Sequence, residues 1–249
     1  MSKITDSEEI ASLVKEVKFW YHQIELAPGM ITPGRNHSSR VLENLDALGL
    51  PKDAQTLRVL DIGCRDGYFS FEMERRGADV IGIDYAPPDT TGFPTAAKIL
   101  GSKVPYIVDN VYDLTPETYG VFDVVLFLGV IYHLRNPLLA LDKIRKLMKP
   151  GGLLFVESIL STDETIKNLD IPLWRFYPRN TFNNDDTNKW APNLPGLRMV
   201  VEEAGFAVKN SLQPGSRGYV TGQAVSDIRQ EHFQQLDSSK GIFGRIKPK

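Results

Sequence analysis

The chain has 249 residues, 42% hydrophobic and 24% charged, with a net charge of −2 at pH 7. This composition is typical of a globular protein with a sizeable core, and the near-neutral charge argues against a global field that attracts nucleic acid or anionic membranes. The single cysteine, Cys64, excludes an internal disulfide framework. Together with an N-terminus that lacks a signal-like apolar run, it predicts a cytoplasmic protein with no membrane partner.

Residues 1–50 are predicted to form an N-terminal helical segment that covers a cofactor site. Asp6 or Ser7 can begin a first helix with apolar residues at helical spacing, and the pattern extends to Trp20 or Tyr21. Two Pro-Gly pairs then interrupt it in "APGMITPGR", and a second helix is expected at about Ser38–Leu48.

From Arg58 onward, short apolar strands alternate with amphipathic helices, which predicts a parallel sheet covered on both faces. Residues 51–228 are expected to form this core, with a lid insertion at 160–195 and an antiparallel strand pair near its end. Residues 229–249 are expected to be a C-terminal tail. The predicted strands are Val59–Ile62, Val80–Asp84, Tyr106–Val108, Asp123–Leu128, Leu153–Ser158, Phe206–Leu212 and Tyr219–Val225. The predicted helices of the core are Gly67–Arg76, Phe93–Leu100, Pro116–Tyr119, Pro137–Met148 and about Leu197–Ala204.

The turn after the first predicted strand, "VLDIGCRDGYFS", differs from a dinucleotide fingerprint. Counting from Gly63, the second and third glycines of that fingerprint are replaced by Arg65 and Tyr68. Asp61 and Asp66 would repel a phosphate. Asp84, at the end of the next strand, suits ribose hydroxyls. These features favour a ligand with a ribose, no pyrophosphate and a cationic group, and S-adenosylmethionine has all three properties.

Three segments, "VLDIGCRDG", "IGIDY" and "FDVVLFLGVIYHLRNP", resemble class I S-adenosylmethionine-dependent methyltransferases. More narrowly, they resemble the family related to the tRNA (5-hydroxyuridine-34) methyl/carboxymethyltransferases. The resemblance implies an α/β, Rossmann-like fold: a seven-stranded mixed sheet with helices on both faces and the last strand antiparallel. It also implies cofactor-binding residues: Asp61, Gly63 and Gly67 at the methionine end, Asp84 and Tyr85 after the second strand with Asp84 at the ribose, Asp109, Asn110 and Val111 at the adenine, and Leu128 and Gly129 near the ligand.

Methyl transfer to a sugar hydroxyl needs a general base or a metal. His133 in "YHLRNP" is the best candidate base, because imidazole titrates in the useful range. A ring that only shapes the loop is the alternative. Tyr132 is expected to line the transfer site by the family resemblance. Either His22 or His37 could fold over the cofactor pocket, but exposed or structural roles are favoured. No grouping of His, Asp and Glu shows a metal spacing.

The aromatic and polar insertion is expected to contact the substrate, since a long loop in a compact domain is usually functional or disordered. The alternative is a lid that packs on its own aromatic rings. The candidate substrate-binding residues are Trp174, Tyr177, Arg179, Asn188 and Trp190.

Three functions remain open from the sequence. The carboxymethyl-transferring branch resembled here uses lysines and a tryptophan upstream of the first strand, and Gly29–Pro51 contains neither. Ordinary S-adenosylmethionine and O-methylation of a small molecule or sugar are therefore favoured, in a natural-product or glycan pathway. A wobble-uridine methyltransferase acting on tRNA is the alternative. A catalytically silent cofactor-binding module is the third hypothesis, and the oligomeric state is left open.

Overall fold

The computed structural model describes residues 3–225, so the predicted tail at 229–249 lies outside the described residues. The N-terminal segment contains two helices separated by a small hairpin that the sequence analysis did not predict. These elements are α1 (Ser7–Glu16), β1 (Glu25–Ala27), β2 (Met30–Ile31) and α2 (Ser38–Ala47).

Helix α1 is shorter than predicted. Its start is as expected, because Asp6 is the N-cap and accepts a 2.7 Å hydrogen bond from the Glu9 N–H. The helix ends at Glu16 because Val17 is extended. Trp20 therefore lies outside the helix, where its indole N–H donates to the Val14 carbonyl. The prediction that the helix reaches Trp20 or Tyr21 was wrong, since tertiary contacts made by those residues outweigh their helical spacing.

The remaining elements alternate between strand and helix much as the sequence predicts. In chain order they are β3 (Arg58–Ile62), α3 (Tyr68–Arg75), β4 (Asp79–Asp84), α4 (Phe93–Leu100), β5 (Tyr106–Val108), α5 (Pro116–Tyr119), β6 (Phe122–Leu128), α6 (Pro137–Lys146), β7 (Met148–Ile159), β8 (Trp174–Phe176), β9 (Trp190–Pro192), α7 (Leu194–Glu203), β10 (Phe206–Leu212) and β11 (Arg217–Ala224).

Seven of these strands form one sheet in the order β10-β11-β7-β6-β3-β4-β5. Five neighbouring strands, β7, β6, β3, β4 and β5, are parallel to one another. Strand β11 pairs antiparallel with both β7 and β10. The sequence-based prediction of a seven-stranded mixed sheet with an antiparallel last strand is confirmed. The parallel strands β3, β4 and β6 end at one edge, where a ligand binds in open α/β sheets.

Apolar side chains cover both faces of the central strands, as expected for a parallel sheet between two helical layers. Alternate residues of β6 belong to different cores: Val125 and Phe127 to one, Val124 and Leu126 to the other. Helix α6 contributes Ile144 to the first core. No helix within residues 3–225 combines the length and apolar character needed to cross a bilayer.

The insertion is an ordered structure built around a second small hairpin. Strands β8 and β9 pair antiparallel, with Phe176 opposite Trp190. Beyond the hairpin, the Tyr177 and Phe182 rings stack with centroids 4.5 Å apart. The insertion therefore has a small aromatic core of its own, as the alternative interpretation of a self-packed lid anticipates.

Candidate active site

A cavity of about 960 Å³ opens at the carboxyl ends of the parallel strands. The N-terminal segment, the turn after β3, the ends of β4, β6 and β7, and the insertion all contribute to its wall. Among the predicted cofactor residues, those that line it are Asp61, Gly63, Asp84, Tyr85, Leu128 and Gly129. The topology thus brings together residues that are up to 68 positions apart in the sequence, from Asp61 to Gly129.

The turn after β3 needs a left-handed backbone at three positions. Gly63, Arg65 and Gly67 have φ angles of 80°, 51° and 89°. A Cβ atom at Gly63 would lie 2.3 Å from the Val130 side chain, so only glycine fits there. At Gly67 it would meet the rings of Phe71 and Phe93 at 2.6 Å. Gly67 is therefore required for packing at the start of α3, and the cavity wall does not include it.

Asp84 is fixed in place by two main-chain amides. The Arg65 N–H donates to Oδ2 and the Ala86 N–H to Oδ1, each over 2.9 Å. The carboxylate is almost fully buried, yet it faces the cavity. A preorganised acceptor at this position is what two vicinal ribose hydroxyls would need.

Asp61 is a buried carboxylate that lines the same cavity. The Ser70 hydroxyl donates a 2.6 Å hydrogen bond to its Oδ2. The pKa of Asp61 is raised to about 7, mainly by burial; the Ser70 hydrogen bond opposes the rise and the nearby Asp84 adds to it. A buried negative charge that is stabilised by only one side-chain hydrogen bond favours a cationic ligand, such as an α-ammonium group.

Asp66 does not line the cavity, contrary to the expectation that it would repel a phosphate there. Its carboxylate is fully buried and accepts from three main-chain amides: Tyr21 at 2.6 Å, His22 at 2.9 Å and Gly92 at 2.8 Å. It thereby joins the N-terminal segment and the start of α4 to the cofactor turn. Its role is to hold the cavity wall together.

Both N-terminal histidines line the cavity. His22 is buried against the rings of Tyr21 and Phe69, and this burial lowers its pKa to about 4. His22 is therefore neutral near pH 7. His37 is exposed, and its Nδ1 lies 2.9 Å from the Gln23 side-chain oxygen.

His133 lies on the cavity wall just after β6. Burial lowers the pKa of His133 below its ordinary value, which keeps the ring neutral and able to accept a proton. Tyr132 is buried beside it and is not part of the cavity wall. Burial raises the pKa of Tyr132 to about 12, so its hydroxyl stays protonated.

An ion pair that the sequence analysis missed completes this side of the cavity. Glu157 at the carboxyl end of β7 binds Arg217 of β11, with one N–O distance of 2.7 Å. The Arg217 guanidinium also lies 5.2 Å from the centre of the Tyr132 ring. Glu157 ends a predicted parallel strand, and this position is a signal that could have identified it. Arg217 could not be placed, because its strand is antiparallel and distant in sequence.

The predicted substrate-binding residues lie elsewhere than in the main cavity. Trp174 and Trp190 donate their indole N–H groups to the carbonyls of Gly196 and Leu134. Tyr177 is buried in the aromatic core of the insertion, and Asn188 donates to the Phe182 carbonyl. Arg179 lines a separate groove of about 650 Å³. The insertion does reach the main cavity, but through neighbouring residues: Asp185, Asp186, Thr187 and Lys189.

The predicted adenine-binding residues are not part of the cavity wall either. Asp109 accepts a hydrogen bond from the Tyr119 hydroxyl. Asn110 is exposed and its side chain accepts from the Tyr112 N–H, while Val111 packs in the core. Their contact with adenine stays a prediction. Within residues 3–225, no three His, Cys, Asp or Glu side chains come together as a metal site would require.

Comparison with known proteins agrees with this geometry. Residues 34–210 match the family described as "Methyltransferase domain". The chain is 39% identical over 112 residues to the ubiquinone biosynthesis O-methyltransferase of Cereibacter sphaeroides, an alignment that covers 45% of each chain. It is 29% identical to the tRNA U34 carboxymethyltransferase of Geobacter sp. over 202 residues, which is 77% of this chain and 58% of the relative. The chain thus spans about half the length of the curated relatives it matches.

Solved structures share the fold at low sequence identity. The N-terminal domain of EvdMO1, solved with SAH and D-fucose, superposes with a TM-score of 0.62 at 20% identity, covering 90% of this chain and 99% of that one. The 1,6-didemethyltoxoflavin-N1-methyltransferase of Burkholderia thailandensis, solved with SAH, gives a TM-score of 0.57 at 16% identity, covering 91% and 93%.

The fold is therefore that of the class I methyltransferases. The chain belongs to the methyltransferase-domain family, and the predictions of an S-adenosylmethionine-dependent methyltransferase domain and of that cofactor are confirmed.

Proposed function

We propose that this chain transfers the methyl group of S-adenosylmethionine to a hydroxyl oxygen of a small molecule or sugar, with His133 as general base. The observation that supports it most directly is the position of His133 on the wall of the cavity that also holds Asp61 and Asp84. When bound, S-adenosylmethionine supplies a sulfonium-bound methyl group, and its carbon–sulfur bond breaks as the new carbon–oxygen bond forms.

The residues on the cavity wall fit this cofactor. Asp84 is an oriented acceptor for ribose hydroxyls, and Asp61 is a buried carboxylate that favours an ammonium. Gly63 lines the same cavity, and its lack of a side chain lets Val130 pack against the turn. We assign the methionine end to Asp61 and Gly63 and the ribose end to Asp84.

The acceptor proton would move to His133. A sugar or alcohol hydroxyl is too weak an acid to ionise at neutral pH, so it gains from a base that removes its proton as the methyl group arrives. A partly buried imidazole with a lowered pKa is available to accept a proton in this step. Arg217 lines the cavity and packs on the buried Tyr132 ring, so this pair supports the wall beside His133.

A small acceptor is favoured over a polynucleotide because the charges on the cavity wall are mixed. The N-terminal segment and the insertion both contribute residues to the cavity wall. Cations such as Arg35 and Lys189 face the cavity together with carboxylates such as Asp185 and Asp186. A tRNA would need cations clustered along a backbone track. On the same grounds we propose that residues 1–50 cover the cofactor site and that residues 160–195 serve as a lid. A cytoplasmic location remains a prediction.

Methylation of wobble uridine in tRNA is the second candidate, because several relatives near 29% identity are tRNA U34 carboxymethyltransferases. Gly29–Pro51 lacks the lysines and tryptophan expected of that carboxymethyl-transferring branch.

One experiment separates the two candidates. The purified chain is incubated with [methyl-³H]S-adenosylmethionine and three probes: D-fucose as a sugar, catechol as a phenol, and total tRNA. We expect label on a small hydroxylated probe. His133→Gln should abolish this labelling while calorimetry shows that S-adenosylmethionine binding is retained. Label confined to tRNA would overturn the proposal in favour of the second candidate.

A further inference from the structure

The segment Asp185–Trp190 of the insertion contacts three consecutive residues of the loop that carries His133. The Lys189 N–H donates to the Tyr132 carbonyl over 2.9 Å. The Trp190 indole N–H donates to the Leu134 carbonyl over 3.0 Å. Between these two bonds, the Thr187 hydroxyl lies 3.0 Å from Nδ1 of His133. The insertion therefore attaches to the residue before the histidine, the residue after it, and the ring itself.

The direction of the hydrogen bond between Thr187 and His133 follows from a third residue, Asp185, which also bonds Thr187. The Thr187 hydroxyl donates to Oδ1 of Asp185 over 2.6 Å, and the Thr187 N–H donates to the same oxygen over 2.9 Å. These two bonds lower the pKa of Asp185, so it is a carboxylate that can only accept. A hydroxyl has one proton, and here Asp185 receives it. The Thr187 oxygen is then left as an acceptor, so Nδ1 of His133 must be the donor.

We propose that Thr187 and Asp185 are positioning residues that hold His133 as its Nδ1–H tautomer, leaving the Nε2 lone pair for the acceptor hydroxyl. This inference rests on the proposed base role of His133. The insertion would then orient His133 in addition to covering the cavity. A neutral imidazole has one ring nitrogen with a free lone pair, and the hydrogen bond that the other nitrogen makes decides which one it is.

The geometry also explains why the candidate substrate residues of the insertion lie outside the main cavity. Trp190 binds the histidine loop through its indole N–H, and the rings of Trp174 and Phe176 pack against it, with centroids at 6.3 and 5.0 Å. The aromatic residues are a support that fixes the position of Thr187. Asp185 and Lys189 are the charged neighbours that the insertion adds to the His133 environment, and Arg217 approaches from β11.

The test is the tautomer of His133, read by ¹⁵N NMR in the full chain labelled at histidine. The resonances of His133 are assigned by their loss in His133→Gln. The expected wild-type result is a protonated Nδ1 and an unprotonated Nε2. Thr187→Val should remove this preference and raise the Nε2–H population, whereas Thr187→Ser should restore it. Thr181→Val is the matched control, because the Thr181 hydroxyl bonds only the Pro178 carbonyl within the same insertion.

An activity measurement adds a second readout with whichever probe accepts label. In Thr187→Val we expect kcat to fall by about tenfold or more with the KM for S-adenosylmethionine unchanged. A wild-type His133 protonated at Nε2, or a tautomer unaffected by Thr187→Val, would overturn the inference. If Thr187→Val does not fold, the tautomer seen in the wild-type and Thr187→Ser spectra still tests the inference. A locked Nδ1–H tautomer without any methyl transfer to D-fucose or catechol would leave the inference standing and count against the proposed function.

Discussion

The main-chain N–H of Arg65 donates a 2.9 Å hydrogen bond to Oδ2 of Asp84, which joins the turn after β3 to the end of β4. The bond needs the left-handed backbone that Arg65 adopts, with φ of 51°. A dinucleotide fingerprint has glycine at this position so that a pyrophosphate can approach the main chain. Here the amide is already occupied by a carboxylate, so the turn prepares a site for hydroxyls instead of phosphate.

Replacing Arg65 by glycine should stabilise the cofactor-free chain. A left-handed conformation costs a residue with a Cβ atom roughly 1–2 kcal/mol, and glycine's greater freedom in the unfolded chain returns part of that gain. We expect the free energy of unfolding to rise by up to about 1 kcal/mol. Urea denaturation followed by circular dichroism measures it. Arg75→Gly, in helix α3, should shift the midpoint the opposite way; equal shifts would contradict the explanation.

Asp84→Ala should weaken cofactor binding more than it weakens the fold. It removes a charged acceptor for ligand hydroxyls, and hydrogen bonds to charged groups contribute about 1.5–3 kcal/mol each. The Kd for S-adenosylmethionine should therefore rise by at least about tenfold in calorimetry. Asp79→Ala, at the exposed start of the same strand, is the control and should bind normally. An unchanged Kd in Asp84→Ala would exclude Asp84 from the ribose site.

Asp61 should make the cofactor-free protein less stable as the pH rises. Its pKa is about 7 in the folded state against an ordinary 3.8, so between these values the folded chain holds a proton that the unfolded chain has lost. The free energy of unfolding then falls across this window, and the penalty is fully present above pH 7.

Asp61→Asn removes that penalty and keeps an acceptor for Ser70. We expect its Tm to exceed that of the wild type by several degrees at pH 8, with a much smaller difference at pH 4, at about 2–4 °C for each kcal/mol. Its affinity for S-adenosylmethionine should fall, because the charge that attracts an ammonium is gone. Asp113→Asn, on the surface, should show no such pH-dependent gain. A wild-type and Asp61→Asn difference that is flat with pH would show that Asp61 titrates normally.

Asp66→Ala should detach the N-terminal segment from the cavity. It leaves the amides of Tyr21, His22 and Gly92 without their acceptor. Each unsatisfied buried amide costs about 1–3 kcal/mol, so a total loss of at least about 2 kcal/mol is expected in chemical denaturation. Hydrogen exchange should also accelerate at Tyr21 and His22. Asp89→Ala, an exposed carboxylate, serves as the control. Unchanged exchange at both amides would mean that the segment is held by its apolar contacts alone.

Sequence determined the order and extent of most elements. Strands β5 and β10 and helices α4 and α5 lie at their predicted bounds, because the apolar and turn-forming residues that mark these bounds are local signals. Asp61 and Asp84 could be predicted from the strand pattern, since a ligand site lies at the carboxyl ends of parallel strands. Gly63 and Gly129 were implied by the family resemblance, and they also line the cavity.

Tertiary structure decided which residues share the cavity when they are distant in sequence and belong to irregular segments. Trp20 lies outside the first helix because the neighbouring Tyr21 N–H donates to Asp66, 45 residues further along the chain. No local residue spacing predicts that contact. Arg217 reaches Glu157 through an antiparallel register, and Thr187 reaches His133 across 54 residues. Composition alone marked the insertion as important, but it selected the aromatic residues that support the loop. The residues that line the cavity are neighbours of these aromatic residues, such as Asp185, Thr187 and Lys189. The rings of Trp174, Phe176 and Trp190 pack on one another and are therefore not available to line the site.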